Sequence, residues 1–528
     1  MENHCRRNHK RRYKCNRNIG QADADIGPLT PSQRNEEASQ IREEATNFEK
    51  NLPIPEHPTN DDEEKYKDKI GNYSKALPHN ELGEVDLYAY KAYKRAIAIG
   101  SPCVFEEIPL GGDKKLSNPQ GSYAYELAGA DSHHLGIAVP PSFSSAWIAS
   151  EMAEVYWMSL VRDVPFMDYS TNHFTIQAAK DLSFFSAFKG PKEKGMVTPR
   201  TLFRSGFPGT LNGPYISQFL LLDIPYGDRT LLQYYNTTLP GEYFMTKYKE
   251  WLNIQNGLNP RTKSSYESKP RYIYNGRGLG EWVHYDFTYQ GYLAACLILL
   301  NYGQEALAPT NPYLRSKTQI GFVTFGSAHV LDFTARAARL GLEAAWFQKF
   351  QVHRRLRPEE YGGCVDNVLK DYSNYPINPE ILNSPVVNEV YSKFGSYLLP
   401  MAYPDGCPTH PAYPAGHATI AGAAVTILKA FFNEDYVIPD PVVPSSNGLS
   451  LSAFKGKPLT IGGELNKLAS NISLGRDMSG VHWRSDGMEG MKLGETVAIR
   501  LLQDYKNTYN ENFTGFKFTK FDGTNISI

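Results

Sequence analysis

The stretch HPAYPAGHATIAGAAVTILKAFF, His410 to Phe432, divides in two at Gly416. Its first part is a proline-bearing loop that carries His410. Its second part opens at Gly416 and His417 and then repeats apolar residues at helical spacing for about four turns, too long for a strand. Four further stretches share the periodicity: SSAWIASEMAEVYWMSLVRDV from Ser144, YDFTYQGYLAACLILL from Tyr285, AHVLDFTARAARLGLEAAWFQKFQVHRRLR from Ala328 and DGMEGMKLGETVAIRLLQDY from Asp486. Proline- and glycine-rich loops such as IPDPVVPSSNG, Ile438 to Gly448, separate them, and alternating strand-like runs are few. A mainly α-helical protein with long connections is expected.

At 528 residues the chain has room for a large core. Its 55 basic and 56 acidic residues leave a net charge of −1, which offers no global attraction to nucleic acid or anionic membranes. Any anion site must be local. The first 70 residues hold only 17 hydrophobic side chains, and they pass from a tail with seven Lys or Arg between Arg6 and Arg17 to the acidic run NDDEEKYKDK. Such a segment buries little apolar surface by itself. Residues 1–70 therefore read as a charged arm, partly disordered or laid on a neighbouring subunit, and 71–528 as one large α-helical domain. No apolar stretch follows the basic tail as a secretory signal requires. The longest apolar run, Tyr292 to Leu300, is far short of the ~20 residues that cross a bilayer. The expectation is a soluble protein without a membrane span, cytoplasmic by default. The six cysteines lack Cys-x-x-Cys spacing, so zinc is not indicated, and a bridge between Cys364 and Cys407 stays open.

Three segments gather cations and histidines. In WFQKFQVHRRLRP, Trp346 to Pro358, a continuous helix at ~100° per residue puts Trp346, Lys349, His353 and Arg357 within about 80° of one face. Pro358 would then end that helix. Taken alone, clustered Lys and Arg usually mark a solvated face, and Arg354 and Arg355, which point elsewhere, read as surface or interface charges. In PAGHA, Pro414 to Ala418, the helix opening offers unpaired backbone N–H groups and a positive dipole end, which Gly416 lets a ligand approach closely. His417 there can donate to an oxyanion or carry its proton; the plainer alternative is a half-buried histidine bonded to a carbonyl. In GRDMSGVHWRSDG, Gly475 to Gly487, His482 and Asp486 are four residues apart, so the carboxylate can take one imidazole proton and leave the other nitrogen free. Arg476 adds a guanidinium fork. The plain alternative is a surface ion pair.

In order, Lys349 with Arg357-Pro358, then Pro414-Ala415-Gly416-His417, then Gly475-Arg476 with His482 and Asp486 resemble a known signature, K-x(6 to 8)-R-P, P-S-G-H and S-R-x(5)-H-x(3)-D. It is that of the vanadium-dependent haloperoxidases, which share a helical fold and an anion pocket with the type 2 phosphatidic acid phosphatases and bacterial acid phosphatases. The motif-level likeness runs from about Tyr285 to the C-terminus, and DIGPLTPSQR, Asp25 to Arg34, also looks like bromoperoxidases of the red algal, cyanobacterial and bacterial type. The resemblance implies two helical bundles with few short strands and a vanadate cofactor. It implies His482 Nε2 as the metal ligand, Asp486 holding that ring, and Lys349, Arg357, Arg476 and the Gly416 N–H on the vanadate oxygens. Lys349 would also polarise peroxide, His417 would be the acid–base residue, and His410 would tune it; Trp346 and His410 would lie on the halide side. Hydrogen peroxide, bromide or iodide, and a small organic nucleophile are the implied partners. Relatives form homo-oligomers from dimers to dodecamers, and red algal members bind a structural calcium whose ligands find no assignment here.

Vanadate and phosphate are both tetrahedral, so a soluble acid phosphatase with a histidine nucleophile remains an alternative. A non-catalytic helical assembly protein is the second. His410, seven residues before His417, and the phrase HRRLRP favour the bromoperoxidase branch. Two departures stand out. Ala415 replaces the family serine and removes a hydroxyl donor worth about 0.5–1.5 kcal/mol net, and Gly475 replaces a second serine, which is expected to remove a further contact.

Overall fold

The structure, a computed structural model, describes residues 29–528. Residues up to Asn51 and residues Leu52–Ile528 are separate units. In the first, Thr30 opens α1 (Pro31–Lys50) with a reciprocal cap: its hydroxyl accepts the Gln33 N–H at 3.3 Å, and the Gln33 side chain accepts the Thr30 N–H at 3.0 Å. The Arg6 to Arg17 tail, Cys5, Cys15 and the first four residues of DIGPLTPSQR lie outside the described residues.

The larger unit takes in residues 52–70, which composition assigns to the arm, so the boundary falls at Asn51 and not at residue 70. The reason is long-range pairing. Asp62 is buried and accepts the Phe143 N–H at 2.8 Å, Glu63 meets Arg354 at 2.6 Å, and Ile70 joins the core. Composition counts charges and cannot see partners supplied from elsewhere.

The principal helices of this unit are α2 (Ala146–Leu160), α3 (His173–Phe184), α4 (Gly276–Tyr285), α5 (Gln290–Asn301), α6 (Ser327–Phe347), α7 (Pro358–Leu369), α8 (Pro385–Phe394), α9 (Gly416–Phe431), α10 (Ile461–Met478) and α11 (Arg484–Tyr505). One bundle forms where α2 packs against α3, α7 and α8; the other surrounds α9 with α5, α6, α10 and α11, and α10 touches α2 and α4 as well. The strands named among the described residues pair into short antiparallel hairpins such as Val442–Pro444 with Leu451–Ala453. Cys103, Cys296, Cys364 and Cys407 are all free, so the Cys364–Cys407 bridge is not formed. No helix among the described residues is long and apolar enough to cross a membrane.

The composition of α9 follows from its place. Every residue from Ala418 to Phe431 is buried, including Lys429, whose ammonium donates to the Thr519 carbonyl at 2.7 Å. Small residues let its neighbours come to backbone contact. A Cβ on Gly422 would lie 2.0 Å from the Met491 carbonyl oxygen, and one on Gly494 would lie 2.0 Å from that of Thr419. This close approach sets the start of α9 beside the start of α11, where the Ala415 N–H donates to the Asp486 carbonyl at 2.9 Å. Gly494→Ala should therefore cost about 1–3 kcal/mol or more of stability by overpacking. Gly206→Ala, with open space around the added carbon, should stay within about 0.5 kcal/mol in the same denaturant titration.

Candidate active site

The first site segment does not stay helical. After α6 the backbone widens into a π turn, Gln348–His353, and Arg354 closes it in the left-handed region at φ 42°. Arg357 then caps α7, with Pro358 as its first residue, so Pro358 starts a helix and does not end one. Lys349, His353 and Arg357 therefore do not share one helix face. His353 turns away and packs edge-on against Tyr413 at 4.9 Å. Lys349 and Arg357 still converge. The Lys349 ammonium donates to the carbonyls of Pro411 and Ala412 at 2.6 and 2.8 Å, and Arg357 donates to those of His410 and Val481 at 2.9 and 2.6 Å. Both are fully buried.

Arg354 and Arg355 are not surface charges either. Arg354 meets Glu63. Arg355, 1% exposed, bonds Asp486 Oδ1 at 2.8 Å, Ser485 Oγ at 2.7 Å and Glu151 Oε2 at 3.1 Å. The clustered cations are buried because carboxylates arrive from residues far along the chain.

His482 lies just before α11, and Asp486 is in its first turn. His482 Nδ1 and Asp486 Oδ2 are 2.8 Å apart, and the same oxygen accepts the Trp483 N–H at 3.1 Å. On the far side of the ring, Arg357 Nη1 stands 3.2 Å from Nε2. A guanidinium only donates, so Nε2 carries the lone pair and Nδ1 the proton. Burial, and then Arg357 and Lys349, push the His482 pKa well below its ordinary value. The contact with Asp486 is thus a hydrogen bond from a neutral imidazole and not an ion pair. Burial pushes the Asp486 carboxyl up, with Arg355 the strongest opposing influence. His410 Nδ1 accepts from Arg357 Nη2 at 3.0 Å, and burial followed by Arg357 drives this ring neutral as well.

A cavity of about 320 Å³ opens in front of these groups. Its polar wall comprises His410, Gly416, His417, Arg476 and His482, with His284 and Asp286 from the end of α4; Leu342, Trp346, Tyr292 and Ile420 form an apolar wall. Trp346 lies against His410 with ring centroids 4.7 Å apart, and its indole N–H is held by the carbonyls of Ser117 and Asn118 at 3.2 and 3.1 Å. Gly416 is the first residue of α9, capped by Ala415 without a side-chain hydrogen bond. His417 Nε2 stands 2.9 Å from Asp286 Oδ1. Asp286 and His284 were not legible beforehand, since they precede His417 by more than a hundred residues and belong to no spaced motif. Gly475 does not face the cavity: a Cβ there would press on Leu279 and Val283 of α4 at 3.1 Å. The glycine serves close helix packing, so no oxyanion contact is lost at that position.

The donor set fits a tetrahedral oxyanion. Lys349, Arg357 and Arg476 have no carboxylate partner among the described residues, and Arg476 donates to the Val283 carbonyl at 2.8 Å while its buried Nε has no partner. Uncompensated buried charge of this kind is costly without an anion. The first N–H groups of α9 point the same way. By contrast, no group of three or more His, Cys, Asp or Glu that could hold a metal ion occurs among the described residues, which leaves calcium without such a cluster.

Fold and site together define a helical bundle whose cationic cavity fits an oxyanion. Residues 384–511 match the family model described as the VCPO second helical-bundle domain. The vanadium-dependent bromoperoxidase of Ascophyllum nodosum is 36% identical over 530 residues, covering 96% of this chain and 94% of the relative. That of Corallina pilulifera is 35% identical over 546 residues, covering 87% and 91%. The homohexameric structure of the second vanadate-dependent bromoperoxidase of Ascophyllum nodosum superposes with a TM-score of 0.91 at 32% identity, over 99% of this chain and 94% of that one. The chain belongs to the vanadium-dependent bromoperoxidases.

Removing the cation that joins the site segments should be severe. Arg355→Met leaves Asp486 and Glu151 buried without their partner, and about 3–5 kcal/mol of unfolding free energy should be lost in a guanidinium titration.

Proposed function

We propose that this protein is a vanadate-dependent bromoperoxidase that uses hydrogen peroxide to oxidise bromide, and iodide, to hypohalous acid or its equivalent, which halogenates small organic nucleophiles. The observation that carries this reading is the neutral His482, with its proton on Nδ1 toward Asp486 and its Nε2 lone pair set among Lys349, Arg357 and Arg476. Full-length kinship with bromoperoxidases does not favour an acid phosphatase or a non-catalytic assembly protein.

In this reading His482 Nε2 is the metal ligand, and Lys349, Arg357, Arg476 and the Gly416 N–H bind the vanadate oxygens. When bound, vanadate supplies peroxide activation and oxygen transfer to halide. The chain's own residues provide the setting. Three cations offset the anion's charge in a site where burial strengthens each interaction. Asp486 keeps His482 in the tautomer that presents a lone pair. Asp286 engages His417 at Nε2 and leaves Nδ1 to take and return the proton of the attacking peroxide. His410, fixed between Arg357 and Trp346, lines the halide side. The apolar wall of Leu342, Tyr292 and Ile420 gives an organic nucleophile room beside the reacting centre. Homo-oligomeric assembly is part of the proposal, by analogy with the homohexameric relative.

The deciding assay is bromination by purified protein with and without orthovanadate and peroxide, beside a chromogenic phosphate ester. Bromination that needs both additions is the expected result, and ester hydrolysis without vanadium would defeat the reading. Asp486→Asn should weaken vanadate binding about 10–100-fold, read from reactivation of the vanadium-free protein. Ala415→Ser restores a hydroxyl beside the Gly416 N–H and should tighten vanadate roughly two- to tenfold. It should also stabilise α9 by about 1 kcal/mol as an N-cap.

A further inference from the structure

Bromide oxidation consumes a proton, and this inference rests on the function proposed above. In Br⁻ + H₂O₂ + H⁺ → HOBr + H₂O, bromide loses two electrons and the O–O bond breaks. One oxygen joins the halide; the other leaves as water with that proton. The cavity must therefore admit one proton from solvent in every cycle.

Most of its imidazoles are already engaged. His410 Nδ1 and His482 Nε2 accept from Arg357 at 3.0 and 3.2 Å, and His417 Nε2 is held by Asp286 at 2.9 Å. His284 is placed differently. It lines the cavity, yet its ring lies between two carboxylates: Nδ1 is 3.9 Å from Glu281 Oε2 and Nε2 is 3.8 Å from Asp405 Oδ1. Asp405 is 39% exposed, whereas Glu281 is nearly buried and accepts the Tyr266 hydroxyl at 2.7 Å. The ring plane is fixed by parallel stacking on Tyr403 at 3.7 Å and 11°. The other aromatic and titratable groups around it are Tyr285, with ring centroids 4.6 Å apart, Arg476, whose guanidinium is 5.9 Å from the Tyr403 ring, and Asp286, which shares the cavity wall.

We propose that His284 is the proton inlet of the cavity, taking protons from solvent through the Asp405 carboxylate and passing them to the reaction space shared with His417. Rotation of the exposed Asp405 side chain closes the gap to Nε2 and delivers a proton to the ring, and release of one proton from the ring to water in the cavity returns it to the neutral form. The stacking keeps His284 in place through each cycle without using either nitrogen.

His284→Phe keeps a ring on Tyr403 and removes both nitrogens; His284→Gln keeps polarity without relay. Each is compared with the unsubstituted full-length protein, loaded with orthovanadate, across about pH 5 to 8. Bromide oxidation should show a kcat about tenfold lower at neutral pH and above, with a smaller deficit in acid where solvent protons are abundant. KM for bromide and peroxide should stay within about twofold, vanadium content after gel filtration should match the unsubstituted protein, and added imidazole should restore part of the rate. Asp405→Asn should lower kcat in the same pH-dependent way, by less. Unchanged kcat in both His284 variants across the range would overturn the proposal. So would a loss of rate that tracks loss of bound vanadium, since that marks a packing role alone. Failure of the underlying function looks different: the unsubstituted protein would itself not oxidise bromide.

Discussion

The buried guanidinium of Arg355 is the contact on which the site depends. It joins Glu151 of α2 in one bundle to Ser485 and Asp486 at the start of α11 in the other, while its own carbonyl accepts the Ala412 N–H at 3.0 Å. Glu151 also accepts the Ser485 N–H at 2.7 Å and its hydroxyl at 2.8 Å. Buried ion pairs add little net stability over apolar packing, but a broken one is expensive. Only one docking of α11 on α2 satisfies all these groups at once, so the network acts as a register device. It brings the loop after the π turn, the loop before α9 and the start of α11 to one point.

That arrangement explains the charge imbalance of the cavity. Other buried cations have carboxylates, Arg162 excepted: Lys75 has Glu359 at 2.9 Å, Lys467 has Glu464 at 2.5 Å, and Arg484 has Glu154. Asp486 is already taken by Arg355, Trp483 and His482. Lys349, Arg357 and Arg476 are left with main-chain carbonyls, which orient a cation but do not neutralise it. Arg162 shares this carbonyl-only bonding, to Met478 and Pro400, but its hydrogen bonds do not reach His410 or His482 as those of Arg357 do. Burial, and after it the uncompensated charge, lowers the proton affinity of His410 and His482 and leaves both rings neutral.

The helices α2, α5, α6, α9 and α11 were legible because a buried face imposes its period on the sequence. Lys349, Arg357, Gly416, His417, Arg476 and His482 were legible because their spacing resembles a known signature. Their geometry was not. A π turn has no residue code of its own, and proline suits a helix's first turn as well as its end, so the fate of Arg357-Pro358 needed the structure. Arg354 and Arg355 look solvated in sequence because Glu63, Glu151 and Asp486 lie more than a hundred residues away. The same distance hid Asp286 and His284. Gly475 looked like a lost oxyanion contact, yet its environment is Leu279 and Val283, a packing constraint that motif comparison cannot separate from chemistry.

Asp486 links the two kinds of constraint. Its Oδ1 holds Arg355, and its Oδ2 both caps the first turn of α11 through the Trp483 N–H and orients His482. Its main-chain carbonyl receives the N–H of Ala415, the residue that caps α9. One residue therefore sets the ring angle of His482, the start of α11 and the position of the α9 N-terminus. The His482 nitrogen and the first N–H groups of α9 cannot drift relative to each other unless this carboxylate gives up its partners. A site that relies on long cationic side chains for charge thus takes its geometry from short, doubly anchored ones, and Ala415, which caps α9 without a side-chain hydrogen bond, keeps its place in that frame through its main chain.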